Sequence, residues 1–225
     1  SFTPSLLHSF TPSLLHSFAL THTLTHTLTN SLLHCCSIGF PPLPKGATLV
    51  VGGDGRFFCK EAVQKILKLA HGNKVAKVVV GQNGILSTPA VSAIIRGRQA
   101  RGGIILSASH NPGGPTGDFG IKYNARNGGP APSSMTNKIF EVSKSLAQYA
   151  TSDFEDIDLS EIRTLTIDDS FTVEVVDSVQ EYLDLMKTLF DFDQLRGLVS
   201  SPSFRMRIDC LHGSPIFVSE VLVPV

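Results

Sequence analysis

The chain has 225 residues, 42% hydrophobic and 17% charged, a composition that excludes a disordered or collagen-like protein and leaves room for a buried core. Its formal net charge is zero, with 19 basic and 19 acidic residues, which excludes the uniformly basic surface of a nucleic-acid coat protein. The charges are unevenly placed, because residues 1–44 carry none, residues 45–144 carry 14 basic and 4 acidic side chains, and residues 145–225 carry 5 basic and 15 acidic ones. A neutral total therefore does not exclude an anion-binding site.

The first 44 residues form a low-complexity repeat. Ser1–His8 reads SFTPSLLH and recurs unchanged at Ser9–His16, and five of the eight histidines lie in this uncharged segment. The histidines follow the repeat and gather no carboxylates around them, so they do not indicate a metal site. The segment also lacks the length of apolar sequence that spans a membrane and the charged start of a secretory signal. We assign residues 1–44 to no domain and predict no membrane partner.

From residue 45 onward, strand-like and helix-like segments alternate. The predicted strands are Thr48–Val51, Val75–Val80, Gly103–Leu106 and, as a fourth candidate, Phe119–Tyr123. The predicted helices are Lys60–Ala70, a helix that starts at Ser87-Thr88-Pro89 and runs to about Gln99, and Ser133–Tyr149. Ser87 is a suitable N-cap and Pro89 suits the first helical turn. This alternation requires crossover connections and predicts a largely parallel sheet covered by helices on both faces.

A second group of elements is predicted after an acidic linker, Asp153–Asp169. Phe171–Val176 has the pattern of a strand, Ser178–Phe190 that of a helix, and Phe204–Leu211 that of another strand. One helix and two strands cannot bury a core alone, so we expect the sequence to end one unit into a further α/β domain.

The four cysteines indicate a reducing compartment. Cys35, Cys36, Cys59 and Cys210 form no C-x-x-C pair and no cluster with zinc spacing. The simplest interpretation is that they are reduced thiols, which predicts a cytoplasmic protein.

A polar loop after the third predicted strand contains the residues best suited to chemistry. Ser107–Pro115 reads SASHNPGGP and supplies the hydroxyl of Ser109, the imidazole of His110 and the amide of Asn111. Ligands of open α/β sheets bind at the carboxyl ends of the strands, and glycines let loop N–H groups approach an anion closely. Neighbouring side chains on an extended chain point apart, so we expect His110 to be poorly placed as a base for Ser109. These residues alone fit either a phosphate site or an ordinary glycine-rich connection.

The loop resembles the active-site serine loop of the α-D-phosphohexomutase family. The similarity lies in SASHNPGG at Ser107–Gly114 and DFGIK at Asp118–Lys122. It extends to VVGGDGR at Val50–Arg56, GQNGILSTPA at Gly81–Ala90, NGGPAP at Asn127–Pro132 and FTVEVVDS at Phe171–Ser178. The GQNGILSTPA and NGGPAP runs point to the phosphoglucomutase branch of the family. The resemblance implies an α/β fold, namely a three-layer α/β/α domain I over residues 45–177 that lacks its first strand. Residues 178–225 would then be the truncated start of domain II.

The resemblance also implies an activity and a set of site residues. Members of the family carry a phosphate on the loop serine, here Ser109, and interconvert glucose 1-phosphate and glucose 6-phosphate through glucose 1,6-bisphosphate. Lys122 matches the lysine that accepts the proton of the sugar hydroxyl, and His110 matches a histidine that positions phosphate or sugar. Asn111 and Arg56 are expected to bind substrate or phosphate, although Arg56, like Asp54, is better suited to supporting the site than to acting in it. The implied metal is Mg²⁺, bound by Ser109 through its phosphate, and the implied partner is a sugar phosphate rather than a nucleic acid.

Three departures from the family lead us to expect that this chain is inactive by itself. No GTSGLRK-type loop with its phosphate-facing arginine precedes Leu43, and no DGDGDR run supplies the other metal ligands. The loops that recognise the sugar in later domains are also missing. Two other functions remain open, namely a non-catalytic binding or scaffold protein and a mutase for another phosphohexose.

Overall fold

The computed structural model describes residues 46–207 except Leu146 and Gln148. Within this range the strands are β1 Thr48–Gly53, β2 Lys77–Ile85, β3 Gly102–Leu106, β4 Ile121–Ala125, β5 Arg163–Asp168 and β6 Phe171–Val176. The helices are α1 Cys59–Gly72, α2 Thr88–Gly97, α3 Ser133–Ser145, α4 Gln180–Leu189 and α5 Phe192–Val199.

The six strands form one mixed sheet in the order β4-β3-β1-β2-β6-β5. The four central strands are parallel, whereas β4 pairs with β3 and β5 pairs with β6 in antiparallel fashion. The prediction of a largely parallel sheet is therefore confirmed for its centre, and the two outer strands run the other way. A short connection such as the turn between β5 and β6 can only join antiparallel neighbours.

Helices cover both faces of the sheet, because alternate strand residues point to opposite sides. One face packs against α1 and α3 through a core that includes Leu49, Val51, Val78, Val80, Ile66, Leu67 and Ile139. The other face packs against α2 through Val50, Val79, Ile105, Val91, Ile94 and Ile95, with Tyr182 of α4 against its margin. The three-layer α/β/α arrangement is thus confirmed for the described residues.

Three features of the second half differ from the prediction. Phe171–Val176 does not start a second group of elements, since β6 pairs with β2 in the same sheet. The predicted acidic linker contains β5, which we did not predict although its residues alternate between half-buried and exposed positions, as in a strand with one buried face. Helix α5 was also unpredicted, although Asp191 provides a local start signal by accepting hydrogen bonds from the N–H groups of Asp193 and Gln194.

Some predictions fall partly or wholly outside the described residues. These are the absence of a domain in residues 1–44 and the missing first strand. The strand predicted at Phe204–Leu211 lies partly outside as well, at residues 208–211, and its described residues 204–207 do not form a strand. Helix α3 ends at Ser145 rather than at Tyr149. Among the described helices, none is long and apolar enough to cross a membrane.

Candidate active site

The topology brings the predicted site residues to one edge of the sheet. Parallel strands β1 and β3 end there, at Gly53 and Leu106. Strand β4 runs in the opposite direction and therefore begins at the same edge, where Lys122 pairs with Ile105. Lys122 and the serine loop that follows β3 thus share the carboxyl edge, which is where ligands bind in open α/β sheets.

The serine loop, residues 107–120, presents its reactive hydroxyl from a strained backbone. Ser109 and His110 are exposed, whereas Ser107 is buried with 8% of its surface accessible. Ser109 has a φ angle of 59°, in the left-handed region that a non-glycine residue adopts at a cost of about 1–2 kcal/mol. Such conformations persist only where surrounding contacts impose them, and they cluster at functional sites.

The turn at Ser109 changes the expectation for His110. The distance from Ser109 Oγ to His110 Nδ1 is 3.3 Å, within hydrogen-bonding reach. The expectation that the two side chains point apart assumed an extended chain, and the left-handed conformation of Ser109 removes that assumption. The imidazole is therefore positioned to contact the hydroxyl or a group bound to it.

The side chain of Arg56 is hydrogen-bonded to two main-chain carbonyl oxygens of the serine loop. Its Nη2 donates to the carbonyl oxygen of Ser109 at 3.1 Å, and its Nη1 donates to the carbonyl oxygen of Asp118 at 2.6 Å. Nε and Nη2 also donate to the carboxylate of Asp54, at 3.0 and 2.8 Å. Only 7% of the Arg56 side chain is exposed. This geometry favours the supporting role, for which the sequence already made Arg56 better suited.

The side chain of Asn111 is hydrogen-bonded to another residue of the serine loop rather than directed outward. Its Nδ2 donates to Oδ2 of Asp118 at 2.7 Å, and its N–H donates to the carbonyl oxygen of Ala108 at 3.2 Å. The N–H of Asp118 in turn donates to the carbonyl oxygen of Pro112 at 2.8 Å. These bonds join the two halves of the loop, so Asn111 shapes the site whether or not it also contacts a ligand.

Ser107 and Asp118 contact the predicted site residues, although they were not themselves predicted as site residues. Ser107 Oγ accepts a hydrogen bond from the N–H of Ser109 at 3.0 Å, a local pattern in which a hydroxyl binds the backbone two residues on. Asp54 makes the same kind of contact with the N–H of Arg56, at 3.2 Å. The spacing of two residues is a weak signal that could have identified Ser107, whereas Asp118 meets its partners only after the loop has folded.

The described residues do not form a Mg²⁺ site by themselves. The carboxylate of Asp54 is bound by Arg56, and that of Asp118 accepts from Asn111. In the part of the chain that the structure describes, no three His, Cys, Asp or Glu side chains are grouped as metal ligands would be. This edge can supply the oxygen of Ser109, or of a phosphate on it, as one ligand, and hard cations such as Mg²⁺ need several oxygen ligands.

The one cysteine in the described range is a structural residue. Cys59 is unpaired and buried at the start of α1. Its burial raises the pKa of the thiol to about 11, so it stays protonated and unreactive at neutral pH. This agrees with the prediction of a reduced thiol at this position.

A three-layer α/β/α domain with a mostly parallel sheet belongs to the class of open α/β proteins, whose ligands bind at the carboxyl edge of the sheet, and the exposed Ser109 lies at that edge. The sequence matches the family described as phosphoglucomutase/phosphomannomutase, alpha/beta/alpha domain I, over residues 17–150. The chain belongs to this family. The matched range begins inside the uncharged first segment, and the proposed domain boundary at residue 44 stays a prediction.

The curated relatives of the chain carry the same name. It is 52% identical over 196 residues to the cytoplasmic phosphoglucomutase of Populus tremula, covering 80% of this chain and 34% of that protein. It is 52% identical over 179 residues to human phosphoglucomutase-1, covering 77% of this chain and 32% of that protein. The chain thus spans about a third of the length of these relatives.

A solved structure with the same fold supports the assignment. The phosphoglucomutase pp63/parafusin from Paramecium superposes with a TM-score of 0.82 at 39% sequence identity. The superposition covers 90% of this chain and 38% of that one.

Proposed function

We propose that this chain supplies the phosphate-carrying serine loop of a phosphoglucomutase, an isomerase that interconverts glucose 1-phosphate and glucose 6-phosphate. The observation that carries the proposal is the exposed hydroxyl of Ser109, held in the left-handed conformation at the carboxyl edge of the sheet. The names of the relatives support it, because a domain 52% identical to those of phosphoglucomutases is expected to serve the same reaction.

The proposed reaction consists of two transfers through Ser109. In the first, the 6-hydroxyl of glucose 1-phosphate attacks the phosphorus on Ser109, its proton passes to Lys122, and the bond from phosphorus to Ser109 Oγ breaks as Lys122 passes the proton on to Oγ. The resulting glucose 1,6-bisphosphate turns round, and Ser109 Oγ takes the 1-phosphate as the bond from phosphorus to the sugar oxygen breaks. The proton of Ser109 Oγ returns through Lys122 to that sugar oxygen. Glucose 6-phosphate leaves, and the serine is phosphorylated again. His110, 3.3 Å from Ser109 Oγ, would position the phosphate during both transfers.

The charge of the transferred phosphate requires partners that residues 46–207 do not supply alone. Family likeness predicts Mg²⁺ as the cation that offsets this charge, with ligands from outside the described residues. Removing one charge-stabilising group from an active site lowers the rate by about 10²–10³-fold. We therefore expect the purified 225-residue chain to interconvert the two glucose phosphates at no more than about a thousandth of the rate of the poplar enzyme, measured by coupled production of glucose 6-phosphate. Turnover near the rate of that enzyme would contradict the expectation.

The compartment and the sugar are part of the proposal. We propose a cytoplasmic location, in line with the name of the Populus relative, although another similar protein is named chloroplastic phosphoglucomutase. The buried, reduced Cys59 is compatible with either. The substrate is proposed as a glucose phosphate because the relatives are named phosphoglucomutases.

A chimaeric enzyme tests the function of the serine loop. Residues 46–207 of this chain would replace the matching stretch of the Populus tremula phosphoglucomutase, and conversion of glucose 1-phosphate would be measured. We expect an active chimaera whose activity falls at least about 10³-fold in Ser109→Ala, because the nucleophile is lost. Ser170→Ala is the matched control, since this exposed serine lies in the turn between β5 and β6, away from the site.

Each outcome of this experiment bears on the proposal. An inactive chimaera with correctly folded domains would favour a non-catalytic relative. An active chimaera that retains its activity in Ser109→Ala would exclude Ser109 as the phosphate carrier. Preference for another hexose phosphate over glucose 1-phosphate would overturn the proposed substrate.

A further inference from the structure

Both main-chain polar groups of Ser109 are bound by side chains. Its N–H donates to Ser107 Oγ at 3.0 Å, and its carbonyl oxygen accepts from Arg56 Nη2 at 3.1 Å. The two contacts lie on either side of the Ser109 Cα atom, so together they fix the peptide planes before and after it. A residue whose φ and ψ are fixed in this way can remain in the left-handed region despite its cost.

The guanidinium of Arg56 is itself held in one orientation. Nε donates to both carboxylate oxygens of Asp54 at 3.0 Å, and Nη2 donates to Oδ2 at 2.8 Å. The N–H of Asp54 donates to the carbonyl oxygen of Leu106 at 3.1 Å, at the end of the strand that leads into the serine loop. Gly55, at φ 76°, makes the tight turn that brings the carboxylate and the guanidinium together. The pair is therefore anchored to the same strand as the loop that it holds.

The same arginine joins the two ends of the serine loop. Nη1 reaches the carbonyl oxygen of Asp118 at 2.6 Å while Nη2 reaches that of Ser109. A planar guanidinium with five N–H donors can make these contacts at once, whereas a lysine ammonium is a single point of charge that cannot span them. Because each guanidinium nitrogen already has a partner in the protein, Arg56 is better suited to hold the loop than to bind phosphate.

We infer that Asp54, Arg56 and Ser107 are positioning residues that hold Ser109 in its left-handed conformation and so direct its hydroxyl toward the incoming phosphate. The inference rests on the proposed function of Ser109 as phosphate carrier, and it assigns to the three residues no contact with the sugar phosphate. We call Asp54, Arg56 and Ser107 together the clamp. Without the clamp, Ser109 relaxes to an ordinary backbone conformation, and Oγ leaves the position beside His110.

Hydrogen exchange in the 225-residue chain tests the clamp without any substrate. We expect Arg56→Lys to accelerate amide exchange in residues 107–120 by about tenfold or more, because the loop loses its two carbonyl contacts. Arg98→Lys is the matched control, since Arg98 is also bound by several acceptors but lies away from the loop. Asp54→Asn, which leaves Arg56 in place and removes its charged partner, is the second variant if Arg56→Lys fails to fold.

The location of the change decides the outcome. Acceleration confined to residues 107–120 in the Arg56 or Asp54 variant, and absent there in Arg98→Lys, supports the clamp. No acceleration in the loop, or acceleration spread evenly over the sheet, overturns it.

The chimaera adds a kinetic test that a merely structural role would not pass. We expect Arg56→Lys to lower kcat at least about tenfold with little change in KM, because the nucleophile is misplaced while the sugar contacts remain. Equal losses in Arg56→Lys and Arg98→Lys would overturn the inference. If the unsubstituted chimaera has no activity, the proposed function fails, and hydrogen exchange alone then decides whether Ser109 is clamped.

Discussion

Two arginines organise two different parts of this domain. Arg56 binds two main-chain carbonyl oxygens and one carboxylate, and it fixes the conformation of a loop. Arg98, at the end of α2, binds two carboxylates, Glu174 on β6 at 2.7 Å and Glu181 on α4 at 2.6 Å. The Arg56 side chain is 7% exposed, whereas the Arg98 side chain is 29% exposed.

The regions around Arg56 and Arg98 are expected to differ in their sensitivity to added side-chain volume and to acid. Two acceptors of Arg56 are main-chain carbonyl oxygens of the serine loop, and the Arg56 side chain is the more buried of the two arginine side chains. The acceptors of Arg98 are carboxylates within reach of solvent, and they join neighbouring elements without setting a backbone angle. The region around Arg56 is therefore expected to be sensitive to added volume, and the region around Arg98 to acid.

The largest effect is expected at Gly53, immediately before Asp54. A Cβ atom at this position would lie 2.5 Å from the carbonyl oxygen of Leu106 and 2.8 Å from the Sγ of Cys59. Because a backbone atom cannot easily move away, we expect Gly53→Ala to lower the free energy of unfolding by about 2–3 kcal/mol. Urea titration followed by circular dichroism would measure this change.

The matched control lies beside Arg98. Gly97 ends α2, and a Cβ atom there has no neighbour within 4 Å. Gly97→Ala is expected to raise the free energy of unfolding by about 0.5–1 kcal/mol, because alanine favours helix. If the two alanine substitutions had similar effects, the proposed contrast in packing between the two regions would be wrong.

A smaller effect, fully present above pH 4.5, is expected at Glu174. Burial alone would raise the pKa of this carboxyl, but hydrogen bonds from Arg98 and Lys77 outweigh it and lower the pKa below its ordinary 4.5. A lowered acid pKa contributes stability that is present above pH 4.5 and is lost as the pH falls through the folded-state value. Glu174→Gln should therefore cost about 1 kcal/mol at pH 7 and progressively less below pH 4.5.

Urea titrations of both proteins at pH 7, 4 and 3 measure this dependence. A difference between wild type and Glu174→Gln that stays constant over this range would show that the carboxylate charge does not stabilise the Arg98 cluster.

The local signals in the sequence were the most reliable. Ser87 accepts a hydrogen bond from the N–H of Ala90 at 3.3 Å, as its position before Thr88-Pro89 predicts. Short apolar runs likewise predicted β1, β2 and β3, whose central residues are buried on both faces, and β6 was predicted although Thr172 and Glu174 on one of its faces are half-buried. These elements were predictable because their signals lie within a few residues of one another.

The elements that were missed or only partly predicted have weaker local signals. Strand β5 lies in an acidic stretch and pairs with β6, the next strand along the chain, and its alternation of half-buried and exposed residues is a weaker signal than an apolar run. The direction of β4 could not be derived from its pattern either, because parallel and antiparallel edge strands have the same alternation. At the site, the serine loop was identified from its residues and from their resemblance to a family, but the contact between Ser109 and His110 followed from one backbone angle.

The sequence by itself determined the α/β class, the start of α2 and the serine loop, because periodicity and motif spacing are local properties, and its motifs carried the resemblance to the family. The tertiary structure alone decided that Lys122 shares an edge with Ser109, since this depends on β4 running antiparallel to β3. It also decided that Arg56 reaches both ends of a loop that begins more than 50 residues later in the chain. Ser109 lies 53 residues after Arg56 in the sequence, and Asp118 lies 62 residues after it. Contacts of that range exist only once the sheet has brought β1 beside β3, and they set the conformation of the residue on which the proposed chemistry depends.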